Sequence, residues 1–114
     1  MGLNLIKNEN IIIVYLRGRL DIHKTEEIEK EINLLLSKEK SSHFIFNLKD
    51  VEYVSSSGLR LFVSVITLLR QRNKQLILCS LNHSVRKILD VVELNGLFRI
   101  FKTENEAVEF LSNE

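Results

Sequence analysis

The sequence predicts an α/β fold: a mixed sheet of four to five strands, mostly parallel after an N-terminal hairpin, covered by about four α-helices. Three observations carry this. Short β-branched or aromatic runs (I-I-I-V-Y-L, F-I-F-N-L and L-I-L-C-S) recur with enough chain between them for a helix. The intervening segments place apolar residues every three or four positions, the period of a half-buried helix. The strand runs are apolar without alternation, as in strands buried on both faces of a helix-covered sheet.

The elements follow in order. Residues 3–6 supply a short strand and residues 11–16 a second one, joined as a hairpin through Lys7-Asn8-Glu9-Asn10; Arg17-Gly18-Arg19 ends the second strand. Residues 25–37 form a helix with Ile28, Ile32 and Leu35 on one face. Glu26 and Glu27 fall in its first turn and Lys38 just beyond its last, as the helix dipole favours. Residues 44–48 are a buried strand and residues 49–54 the connection that follows it. The next helix carries Leu59, Phe62, Val63, Ile66 and Leu69, and Arg70, Arg72 and Lys74 suit its C-terminal end. Residues 76–80 are a strand. Asn82 caps a helix bearing Val85, Ile88, Leu89 and Val92, which Asn95-Gly96 stops. A short strand at residues 98–101 precedes Thr103-Glu104-Asn105-Glu106, a capping box that opens a last helix with Val108 and Leu111.

Length and composition bound the function. With 114 residues, 45% of them hydrophobic, and no proline or low-complexity tract, residues 1–114 read as one domain. Sixteen Lys and Arg against 15 Asp and Glu leave a formal charge of +1, too balanced for a protein that grips nucleic acid. Cys79 is the single cysteine and lies in an apolar run, so it reads as a buried small hydrophobe in a reducing compartment. Apolar runs fall short of the roughly 20 residues that cross a bilayer, and a secretion signal is not discernible. A cytoplasmic protein without direct membrane insertion is expected. Met1-Gly2 begins like a myristoylation site, but Ile6 stands where a hydroxyl residue is needed.

The segment V-S-S-S-G-L, residues 54–59, sits where a strand turns into a helix. Unpaired amides at such a helix start are capped by Ser, Thr, Asp or Asn, each worth about 1 kcal/mol. Capping uses one or two hydroxyls and leaves a third, which a kinase can modify. A phosphate adds roughly −1.5 to −2 charges, and the positive end of a helix tolerates it. Nucleophilic catalysis would need a base beside a serine, but G-x-S-x-G is absent, and His23, His43 and His83 are scattered and read as surface or loop residues. Gly2, Gly18, Gly58 and Gly96 are isolated, so neither a P-loop nor a dinucleotide fingerprint can be drawn. No His, Cys and carboxylate spacing suggests a metal, and Asp50 lacks the acidic pair of a receiver domain. No catalytic residue, metal or cofactor is expected, and the protein is not read as an enzyme.

The stretch F-N-L-K-D-V-E-Y-V-S-S-S-G-L resembles the anti-sigma-factor antagonists, single STAS domains of bacteria. Asn47, Leu48, Val51, Val54, Ser56, Ser57, Gly58 and Leu59 fall in step with that family's pattern, and Gly18, Leu20 and Asp21 match its Gly-x-Leu-Asp stretch. The resemblance implies a STAS-like fold and a partner switch. The unmodified protein binds an anti-sigma factor that is also a serine-protein kinase, releasing a sigma factor; phosphorylation at Ser56 inactivates it and a serine phosphatase restores it. It also implies a partner-binding surface of Asp21, Ser55, Ser56, Ser57, Gly58 and Arg60. The family's acidic residue immediately before the acceptor is Ser55 here, which removes a local charge. A second reading uses the same surface without phosphate control, as a constitutive STAS interaction subunit of a transporter or stress-signalling complex.

Overall fold

The computed structural model describes residues 3–92 and 96–113. Its elements run β1 (Asn4–Asn8), β2 (Ile11–Leu20), α1 (Ile22–Lys38), β3 (His43–Val54), α2 (Ser56–Gln71), β4 (Leu76–Cys79), α3 (His83–Val91), β5 (Arg99–Phe101) and α4 (Glu104–Ser112). The five strands lie side by side in chain order, β1 antiparallel to β2 and every later pair parallel. This is the predicted mixed sheet with four helices.

Chain order dictates where the helices go. Three successive parallel crossovers that step the same way across a sheet, all right-handed, place their helices on one face. Accordingly α1, α2 and α3 pack Ile28, Ile32, Leu36, Phe62, Leu69, Val85 and Leu89 against Ile12, Val14, Phe44, Phe46 and Leu78. The alternate residues of the same strands, Ile11, Ile13, Ile45, Ile77 and Cys79, point to the opposite face and meet Ala107 and Leu111 of α4. Burial on both faces is the reason these strands lack alternation in sequence.

Several boundaries differ from the sequence-based expectation. β2 does not stop at Arg17; it runs on to Leu20 through two register shifts, with Gly18 at φ +84°. The segment 49–54 is not a connection but the second half of β3, which pairs with that extension. Local composition there is polar, and only the partner strand makes it a ladder. α1 begins at Ile22, so Glu26 and Glu27 lie beyond its first turn, which holds no acidic residue. α3 ends at Val91; Gly96 lies past that end, and Asn95 falls outside the described residues. β4 ends at Cys79 because Ser80 turns away at φ +62°. Phe98 precedes β5, and its ring is edge-on to Phe62, 6.2 Å away in the core. His43 is neither a surface nor a loop residue: it opens β3, is buried, and its Nδ1 accepts the Gln75 N–H at 3.1 Å.

Candidate functional site

The site lies at the C-terminal end of the interior parallel strands β2 and β3. Leu20 and Val54, the last residues of β2 and β3, are paired, so the residues that follow them, Asp21 and Ser55, emerge as neighbours. The Ser55 N–H donates to the Leu20 carbonyl at 2.9 Å and ties the two chain exits together. Each exit then starts a helix. Asp21 Oδ1 accepts the Lys24 N–H at 2.9 Å and caps α1; Ser55 Oγ accepts the Gly58 N–H at 3.2 Å and caps α2. Two helix N-termini therefore stand side by side, both presenting partial positive charge to solvent.

Gly58 is what lets α2 sit this close. A Cβ on it would lie 2.8 Å from Val54 Cγ1 and 3.4 Å from the Leu20 carbonyl oxygen, so any larger residue would push the helix start off the strand ends. The three serines separate accordingly. Ser55 is buried and committed to the cap, Ser57 is partly buried, and Ser56, the first residue of the helix, is exposed. Arg60, one turn further along α2, is also exposed. The structure thus brings Asp21, Ser55, Ser56, Ser57, Gly58 and Arg60 to one end of the sheet, with Ser55 and Gly58 buried and Ser56 exposed.

Sequence reasoning missed Ile22. It follows Asp21 directly, opens α1, and is 58% exposed, giving the site an apolar neighbour. The available signal was its position before the buried stripe Thr25, Ile28, Ile32 and Leu36. Asn82 has a larger part than capping alone: its Oδ1 accepts the Val85 N–H at 3.0 Å while its Nδ2 donates to the Val51 carbonyl, fastening α3 to the far half of β3.

Asn47, within the family-like stretch, supports the opposite face of the sheet. Its Nδ2 donates to Glu104 Oε1 at 3.0 Å and its Oδ1 accepts the Lys49 N–H at 2.9 Å. Tyr15 joins this group through a hydrogen bond to Glu104. Burial first, then that bond, the Glu104 charge and the neighbouring Cys79, push the phenol up to about 12. Cys79 is buried and free; burial raises its pKa, and Glu104 adds to the rise against a lowering bond with Ser80. Both groups stay protonated at neutral pH, so neither is poised for chemistry. Among the described residues no set of three His, Cys, Asp or Glu is arranged to hold a metal ion, and no helix is long and apolar enough to cross a membrane.

The arrangement offers an exposed serine at a preformed helix start, with no activating base bonded to its hydroxyl among the described residues. A family model described as STAS domain matches residues 3–107. The chain belongs to the STAS domain family. Among other STAS proteins, the Anti-sigma F factor antagonist of Paenibacillus polymyxa is 26% identical over 105 residues, covering 92% of this chain and 87% of its own. The Anti-sigma-B factor antagonist of Staphylococcus epidermidis is 29% identical over 111 residues, covering 96% and 98%. Their names describe regulators rather than enzymes. In fold, this STAS chain superposes on the anti-sigma factor antagonist SpoIIAA in its unphosphorylated form with a TM-score of 0.76 at 21% identity, over 99% of this chain and 100% of that one. On the phosphorylated form of the Bacillus protein the TM-score is 0.72 at 22% identity, over 96% and 99%.

Proposed function

We propose that this protein, acting as one STAS domain over residues 1–114, is a cytoplasmic anti-sigma factor antagonist. Unmodified, it binds an anti-sigma factor that is also a serine kinase. Phosphorylation at Ser56 breaks the complex, and a serine phosphatase restores it. The observation that carries this reading is the division of labour in the serine cluster. Ser55 caps α2 and is buried, so Ser56 is left exposed at the first helical position. The surface that meets the partner is Asp21, Ser56, Ser57 and Arg60, with Ile22 as its apolar anchor; Ser55 and Gly58, expected on it, are buried and shape the helix start from beneath.

Charge makes the switch work without refolding. A phosphate on Ser56 adds about −1.5 to −2 charges at the start of α2, where the helix end favours an anion by about 0.3 to 1 kcal/mol. The fold accepts it. At an interface each unit of that charge placed about 4 Å from a partner carboxylate costs about 4 kcal/mol at an effective dielectric of 20, near a thousandfold in affinity. Ser55 in place of the family's acidic residue keeps the cap intact through its hydroxyl.

The test is paired. Given its own kinase and ATP, the protein should gain one phosphate by intact mass, and Ser56→Ala should gain none. In pull-downs Ser56→Ala should keep the partner while Ser56→Asp loses it. Equal retention by both variants, or phosphorylation only after Ser55→Asp, would remove the switch from this protein.

A further inference from the structure

A second feature lies at the other end of the molecule. Ser56 opens α2 and Arg70 sits in its last turn, about 20 Å away at about 1.5 Å per residue. There a half-open cavity of about 700 Å³ forms between the end of α2, the approach to β4, α3 and the segment leading into β5. Arg70, Lys74, Arg86 and Arg99 line it, and none of its described lining residues is acidic. Among the described residues none of these four cations is in an ion pair. Arg70 Nη2 reaches the Leu97 carbonyl at 3.5 Å, and Arg99 is held over the Phe110 ring at 4.6 Å.

Arg70 and Lys74 have a structural explanation, since cations near a helix C-terminus complement its dipole. That account does not reach Arg86, which comes from α3; Arg99, from β5, is accounted for by its place over the Phe110 ring of α4. Three cationic side chains, Arg70 at the end of α2, Lys74 ahead of β4 and Arg86 of α3, share one concavity in a protein whose formal charge is only +1. A cleft lined by one sign of charge concentrates the field within it and draws in counter-ions. The volume falls within the roughly 300 to 1,000 Å³ of small-ligand sites.

We propose that this cavity is a binding site for a small polyanion carrying two or more phosphate groups. Two guanidinium forks, Arg70 and Arg86, offer paired donors to phosphate oxygens, and Lys74 adds a point charge between α2 and β4. The apolar side chains of Ile66 and Leu97 leave room for an organic part of the ligand. The site is independent of the serine switch and stands or falls without it.

The experiment is calorimetric titration of the full chain with tripolyphosphate, fructose 1,6-bisphosphate and citrate at constant ionic strength. Saturable one-to-one binding is expected for the phosphates, with the two probes separating inorganic from organic sources, and binding of citrate at least about tenfold weaker. Arg86→Gln and Lys74→Gln should each weaken tripolyphosphate about tenfold, the loss of one charge-assisted contact. Neither side chain makes a hydrogen bond among the described residues, so melting should move little; if one variant fails to fold, the other carries the test. Amide shifts on titration should fall in the last turn of α2, α3 and β5 and leave Ser56 unmoved. No saturable binding, affinity unchanged in both variants, or citrate as tight as tripolyphosphate would overturn the assignment.

Discussion

Ser55, Ser56 and Ser57 carry one side-chain chemistry into three environments: buried, exposed and between the two. Only Ser55 is aimed back at the helix start, and its role is measurable apart from any partner. Ser55→Ala should lose about 1 kcal/mol, lowering the thermal midpoint by about 4 °C or more for a domain of this size. Ser55→Asp caps as well as serine and should restore the midpoint; if Ala and Asp variants melt alike, the hydroxyl is not the cap. Tyr15 supplies a second residue-scale test. Its phenol titrates at about 12 when folded against about 10 in an unfolded chain. Below pH 10 both states hold the proton and its stabilising contribution is full; from pH 10 to about 12 the folded state alone holds it, so stability falls as pH rises. Tyr15→Phe should remove that part of the alkaline decline in urea midpoints. An unchanged decline would show that Glu104 and burial do not hold the proton there.

At the scale of elements, the sequence is most legible where chemistry is local. The caps at Asn82 and Thr103, with the reciprocal Thr103–Glu106 box, involve partners three residues apart and stand in the structure as spacing implies; which serine caps α2 was open, and the Asp21 cap that starts α1 at Ile22 was not read. Strand ends were not legible, because β2 and β3 lengthen each other through polar residues that neither would order alone. Gly18 is the hinge of that extension. At φ +84°, with nothing within 4 Å of a built Cβ, its demand is conformational and not steric crowding. Gly18→Val should cost about 1–2 kcal/mol and Gly18→Asn less, since asparagine tolerates this region. Equal urea midpoints for the two would mean that β2 can relax, and the register to Leu20 would no longer need glycine.

For the whole molecule, Phe62 joins the layers. Fully buried on α2, it meets Phe46 of β3 at 5.5 Å and Phe98 ahead of β5 at 6.2 Å, both edge-on. Phe62→Ala should cost about 3–5 kcal/mol, a large share of the roughly 5–15 kcal/mol that holds a domain together. Val91→Ala, 80% exposed, should stay within about 0.5 kcal/mol. Comparable losses from both would place the stabilising core elsewhere. The sequence by itself determined the α/β class, the order of elements and the serine cluster at a helix start, because apolar period and capping act over a few residues. The tertiary structure alone decided that Asp21 and Ser55 leave adjacent strands together, that Gly58 packs under Leu20 and Val54, that Ile22 stands beside them, and that Arg70, Lys74 and Arg86 share a cavity. Those juxtapositions join residues far apart in the chain, and strand register and crossover handedness set them, neither of which any short stretch of sequence encodes.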